Sequence, residues 1–468
     1  IGVNTGNSIT SGGNYNVLVG DEAGTALTTG DNNVAVGYGA LDAEDTGTDS
    51  VAIGYNALTA QNNDSTNYNV AIGSSAGAAV TTGVQNILVG ALAGDAITTG
   101  NSNVSVGHGS LSLNTASHRN TAIGEFALAA LNITTDTNAY NTALGYSAGA
   151  AVTTGVNNVL IGALAGDAIT DADFNVAVGT GALGTNQLGS RSVAVGEGAL
   201  LVQNPATAAN MYNTAVGHNA GNDVTTGTLN TLIGGLAGDA LTSGNSNVAL
   251  GYLALSADTL GDRNVAIGTN ALLLQNFTTS TDAFNVAVGA NAGAAVTTGT
   301  SNVLLGGLAG DALTDADFNI AIGINSLGAD TLGSASVAIG HGALLTQNFT
   351  TATSVYNVAV GHNAGKLATT AVFNTLVGGL AGDALTTGQE NAAFGYLALS
   401  GDTLGSHSVA VGSYALQAQN FTTATDSFNT AVGYAAGTAV TTGTQNTLIG
   451  GTTGDALTTG SGNTALGI

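Results

Sequence analysis

Six aspartates of this chain recur at one spacing. Asp95, Asp167, Asp239, Asp311, Asp383 and Asp455 stand 72 residues apart, each inside a Gly-Asp-Ala phrase. Clustered carboxylates are what Ca2+ asks for, six or more oxygens at a time. Two of the six have further acids close by in the chain: Asp171 and Asp173 follow Asp167, and Asp315 and Asp317 follow Asp311. Asp167, Asp171 and Asp173 are therefore weak Ca2+ candidates. The glycine-aspartate motif of Ca2+-binding repeats, G-G-x-G-x-D-x-U-x, is absent. A solvated acidic turn is the stronger reading, and no cofactor is expected.

Other chemistries have less to stand on. The six histidines (His108, His118, His218, His341, His362, His407) are scattered, none at ligand spacing to another. Neither a Ser/His/Asp arrangement nor a phosphate-cradling glycine loop is visible, so no enzyme is expected. Asn132, Asn276, Asn348 and Asn420 open Asn-x-Thr sequons, but a chain this rich in Asn and Thr produces sequons freely. Charge narrows the partners further. With 29 acids against four Lys and Arg, the net charge is −25. Nucleic-acid backbones need clustered cations, so that class is excluded. Anionic membrane surfaces are disfavoured for the same reason. No run reaches the eighteen or so apolar residues of a membrane span, so no membrane insertion is expected in this segment. Cysteine is absent, which rules out a disulfide framework.

The frame that must position any site is a repeat. Residues 141–212 hold three segments of 17 residues and one of 21, and the pattern restarts at Asn213. A glycine closes each Asn-x-small-apolar-Gly phrase, and it falls at Gly73, Gly145, Gly217, Gly289, Gly361 and Gly433, always 72 apart. From Gly20 to Gly467 there are 26 such phrases. A short fixed period over the whole length is the mark of a solenoid. The expected fold is all-β: a parallel β-solenoid, or β-roll, of 26 coils in a 17/17/17/21 rhythm, forming one repetitive segment over 1–468. With coils ~4.8 Å apart, such a stack would run about 125 Å.

Numbering each coil from its glycine as zero, position −4 is Asn in 22 coils and Ser in four, and −2 is Ala in 18 and Leu in seven. Position −3 is mostly Val, Ile or Thr, and −1 is always large and apolar. Alternation of this kind is a strand. It is expected to send −3 and −1 inward and −4, −2 and 0 outward. An outer face of Ala and Gly would be covered by other copies of the chain. Ala143, Ala177, Ala215 and Gly145 are the candidates for that contact. Asn141, Asn158, Asn175 and Asn213 would stack as an amide ladder, donating and accepting between coils. Seventeen residues suffice for about two short strands and two turns. The four extra residues of each long coil would form a column of protruding loops, where recognition usually lives.

The segments SVAIGYNAL (50–58), NVAVGYGAL (33–41) and NTAVGYAAG (429–437) resemble the head repeats of trimeric autotransporter adhesins, the YadA-like β-roll. They resemble more closely the NTAVGYxAG-type repeats of phage tail-fibre proteins and related bacterial surface proteins. The resemblance covers essentially the whole chain. It implies a surface-exposed, non-enzymatic homotrimer, intertwined or side by side, placed on a virion or a cell. The coil is longer here than the adhesin head repeat, and no stalk, anchor or chaperone domain accompanies it. The function expected is that of a phage tail-fibre shaft, part of a longer fibre, whose loops meet a cell-surface glycan or receptor. A bacterial adhesin or extracellular filament is the alternative, and an ice-binding solenoid a remote one.

Overall fold

The computed structural model describes residues 2–468, in two compact units, one ending at Asn230 and the other spanning Thr231–Ile468. The N-terminal unit carries twelve three-residue strands, from Val17–Val19 to Thr214–Val216. Its C-terminal counterpart carries fourteen, from Thr231–Ile233 to Thr464–Leu466. Within each unit neighbouring strands pair in parallel and in register. Val159, Leu160 and Ile161 lie opposite Val176, Ala177 and Val178 in the first. Val303, Leu304 and Leu305 lie opposite Ile320, Ala321 and Ile322 in the second. The chain is therefore an all-β parallel solenoid of 26 coils with a repeat of about 17 residues, as the spacing predicts.

Most 17-residue coils hold one strand rather than two, and turns make up the remainder. Only around the longer coils does a second pair form, such as Gly189–Ser190 with Ala209–Asn210. The turns supply what a second strand would have supplied, namely inward side chains. In the coil that begins at Asn158, the residues Asn158, Leu160, Ala165 and Ile169 are fully buried.

This reverses the expected phase of the strand. Positions −4 and −2 face the interior, while −3 and −1 face outward. Asn158 shows why. Its Nδ2 donates to the carbonyl of Ala172 at 2.9 Å, tying the start of the coil to its last corner. An Asn that closes its own coil must point inward, and the period of two then carries −2 inward with it. Ala143, Ala177 and Ala215 are accordingly 0% exposed within the single chain and cannot touch another copy. Gly145 has a different duty as well. A Cβ placed on it would lie 2.5 Å from the Gly162 carbonyl oxygen, so the glycine column permits close stacking of coil on coil.

The interior is a jigsaw with a four-coil period. Position +4 is held at positive φ, as Gly149 (φ 59) and Leu183 (φ 53) illustrate. Where it is glycine, a large −2 residue fills the space: a Cβ on Gly149 would sit 2.6 Å from Leu160 Cδ1. Where +4 is Leu, the −2 residue is small. Position +7 is apolar for two coils (Val152, Ile169) and polar for the next two (Asn186, Gln203), all fully buried. Fully burying one such Leu contributes about 2 kcal/mol, so this complementarity sets the order of coils as well as their stability.

Candidate functional site

The outward face of the strand is the most distinctive surface. Its −3 and −1 columns are almost all β-branched or aliphatic, and among the described residues they are half-buried to exposed: Val176 and Val178 are partly covered by their neighbours, while Val17 is 52% exposed, Leu144 44% and Leu250 40%. Position −5 extends the face on one side. There Tyr68, Tyr140, Phe174, Tyr212, Phe284, Tyr356 and Phe428 all adopt positive φ, between 47° and 58°. Bulky residues rarely occupy that region, and holding one there costs of order 1 kcal/mol. Yet each of these rings is about half exposed. A strained aromatic that buries little within its own chain gains most from a contact elsewhere. All three arginines share this column: Arg191 Cζ lies 4.7 Å from the Phe174 ring centre, and Arg119 and Arg263 cover Tyr140 and Phe284. Position +1 extends the other side with rings that stack from coil to coil, Tyr38 on Tyr55 and His341 on His362. The apolar face is thus two columns wide along the stack, and the −5 and +1 columns flank it with aromatics in some coils and with polar residues such as Asp49 and Glu125 in others.

The amide ladder is present. Asn158 and Asn175 donate their backbone N–H groups to Oδ1 of Asn141 and Asn158, each at 3.0 Å. Asn213, which begins the coil after a long one, differs, its Nδ2 reaching Gln203 Oε1 at 2.9 Å and the Gly227 carbonyl at 2.7 Å. The ladder runs mainly from backbone N–H to side-chain carbonyl; Nδ2 turns chiefly to a carbonyl of its own coil, as Asn158 does to Ala172 at 2.9 Å, and reaches the preceding Oδ1 at longer range, 3.3 Å from Asn158 to Asn141.

The proposed Ca2+ ligands are not brought together. Asp171 accepts from the Thr154 hydroxyl, and Asp173 from the Val156 N–H at 2.7 Å. Asp167 Oδ1 lies instead near Gly184, in the following coil. Among the described residues no three His, Cys, Asp or Glu side chains form a group that could hold a metal ion. The Gly-Asp-Ala column is half-buried. Burial pushes Asp95, Asp167, Asp311 and Asp383 above the ordinary carboxylate value. Asp95 and Asp383 each keep one buried oxygen without a hydrogen-bond partner.

A second set of acids was not foreseen. Asp258, Asp330 and Asp402 occupy position +7, fully buried. Each accepts from a Gln of the following long coil: Gln275 at 2.7 Å, Gln347 at 2.6 Å and Gln419 at 2.6 Å. Glu44 and Gln61 form the same pair at 2.9 Å. Each Asp also accepts backbone N–H groups from its own turn and from the loop, Gly261 and Phe277 in the case of Asp258. Burial raises Asp258 and Asp402, and these donors oppose the rise. The signal lay in Gln61, Gln203, Gln275, Gln347 and Gln419, polar residues in phase with an apolar column.

The loops are pinned at their bases. Phe277, Phe349 and Phe421 are buried, whereas residues 278–280, 350–352 and 422–424 are exposed. His118 meets Asp136 of one such loop through Nε2, while its Nδ1 accepts the Asn101 N–H at 2.7 Å. With both ring nitrogens engaged, this pair is a clamp and not a general base. The threonines before each corner are similarly occupied: Thr153 donates to the Thr170 carbonyl at 3.1 Å, and Thr369 to Thr386 at 3.0 Å. No helix among the described residues is long and apolar enough to cross a membrane. No family model matches the chain, and no curated protein matches it at a significant level.

Proposed function

We propose that this chain is a structural, non-enzymatic shaft segment of a homotrimeric fibre, most simply a phage tail fibre, displayed outside the cell it meets. Its partners are two further copies of itself, joined through the −3 and −1 face rather than through the alanines first considered. The observation that carries this reading is that outward face, flanked by aromatics at costly backbone angles. Monomeric proteins seldom leave a contiguous apolar patch of such extent. The number three rests on the likeness to phage tail-fibre and YadA-like head repeats. Exposed loop tips recurring every fourth coil supply weak, repeated contacts to a surface glycan or receptor, which gain by multivalency. A bacterial surface filament is the same reading with a different point of attachment.

Native mass measurement tests it. A trimer of about 135 kDa, three times the 45.1 kDa chain, is expected. A stable monomer at micromolar concentration would remove the oligomeric role. Substituting Val176 and Val193 with Glu should dissociate the trimer while leaving the coil folded, since both are outward and half-buried.

A further inference from the structure

One coil breaks the regularity of the outward face in two places at once. Column −3 is Val, Ile or Thr in every coil except one, where it is Ala392. Column −1 is aliphatic in every coil except that same one, where it is Phe394. Their strand is Ala392–Phe394, paired with Thr375–Val377 on one side and Val409–Val411 on the other. Beside Ala392 lies an open hollow of about 480 Å3, lined by Phe373, Thr375, Glu390, Asn391 and Ala392. Phe394 projects from the other edge of the strand and is 41% exposed. The Glu390 carboxylate is turned toward His407 Nε2, 3.3 Å away, and the lining of the hollow is polar and apolar in equal measure, with Phe373 and Ala392 supplying apolar surface.

We infer that Phe394 of one copy seats in the Ala392 hollow of its neighbour and so fixes the register of the assembled chains. This rests on the oligomeric reading above and says which alignment the copies adopt. Around a rotation axis parallel to the stack, each copy's −1 column borders the next copy's −3 column. Residues −3 and −1 of one strand sit at nearly one height, because the strands run across the stack. The knob of one chain therefore meets the notch of the next only when the copies are parallel and unshifted. A slip of one coil presents Phe394 to Thr375 or Val409, whose branched side chains occupy the space.

The physical need for such a key is plain. The remaining coils offer nearly the same columns at every step, so contacts along the face distinguish poorly between alignments. One oversized residue beside one undersized residue penalises every slipped arrangement, which is how specificity is built where affinity is general. An antiparallel pairing is penalised too, since a two-fold axis across the stack sets the −1 column against −1 and so carries Phe394 away from the hollow.

The chain has no cysteine, which makes the test clean. Chains carrying A392C are co-assembled with chains carrying F394C and oxidised. Disulfide-linked dimers are expected on a non-reducing gel, since each chain carries a single thiol, with none from either variant alone and none when T375C replaces A392C. Equal linking with T375C, or no linking within an assembly of oligomeric native mass, would overturn the key and leave the oligomer standing. A monomeric native mass for the unmodified chain would remove both. In addition, A392V fills the hollow with the residue most other coils carry there, so the coil itself should fold normally. Association at least tenfold weaker is expected, and unchanged association would count against the key.

Discussion

Position +7 is solved in two ways in this molecule. In the N-terminal unit Asn186 closes on its own turn, accepting the Gly189 N–H at 2.9 Å and donating to the Gly189 carbonyl at 2.7 Å. In the C-terminal unit Asp258, at the equivalent place, lacks a donor and cannot do both. It accepts instead from Gly261, from Gln275 in the next coil and from Phe277 at the root of the loop. The amide satisfies itself locally, whereas the carboxylate draws three chain segments together around a buried charge. No cation shares that burial: the groups bearing on Asp258 and Asp402 are a Gln and backbone N–H groups. Buried charge held only by neutral donors binds its surroundings firmly and depends on every one of them.

That contrast can be broken most forcefully at the loop root. F277A empties a nearly closed site and should cost about 3–5 kcal/mol locally. P205A, at the matching place in an amide layer, should cost far less. Hydrogen exchange of the flanking coils would read both, since repeat arrays seldom unfold in two states. Next in size is Q275L, which strips the carboxylate of its side-chain donor and should cost about 2–3 kcal/mol. Q203L lies beside an amide and should cost about 1 kcal/mol. Equal effects would mean that the carboxylate is no more demanding than the amide.

N186D places an acid where the carbonyl of Gly189 expects a donor, and should destabilise by about 1–2 kcal/mol at neutral pH. The smallest effect, and the sharpest, is the response to pH. Asp258 and Asp402 are raised in the folded state, so the native chain holds protons that the unfolded chain has released. Their stabilising contribution is complete below the ordinary carboxylate value and is lost as pH climbs through the raised one. The Asp258 and Asp402 layers should therefore strengthen on mild acidification, and D258N with D402N should flatten that slope while changing stability at pH 7 by no more than about 1 kcal/mol. Exchange rates measured at pH 4.5 and 7 in the two variants and the parent would decide it.

The repeat made the architecture legible. The spacing of Gly145, Gly162, Gly179 and Gly196 marks the coils, and the Asn column predicts its own ladder. The phase of the strand was not legible, because Val-Ala-Val reads as an apolar run on either face. What settles it is the reach of Asn158 to Ala172 across the coil, a contact 14 residues away that no local pattern announces. The acid layers were missed for a related reason. Asp258 and Gln275 look like loop residues in sequence, and only the stacking of one coil on the next makes them a pair. The outward face followed from the same reversal: residues first assigned to the core became the surface on offer.

The ladder of amides also has a direction. Along the column an Asn Oδ1 receives an N–H from the coil that follows it, as Asn141 does from Asn158 and Asn429 from Asn446. Wherever a stack of such coils terminates, this column leaves its two extremities unlike: one presents a backbone N–H seeking an acceptor, the other an amide oxygen seeking a donor. A cap suited to one extremity is the wrong complement for the other, and head-to-tail joining of two stacks satisfies both at a single seam.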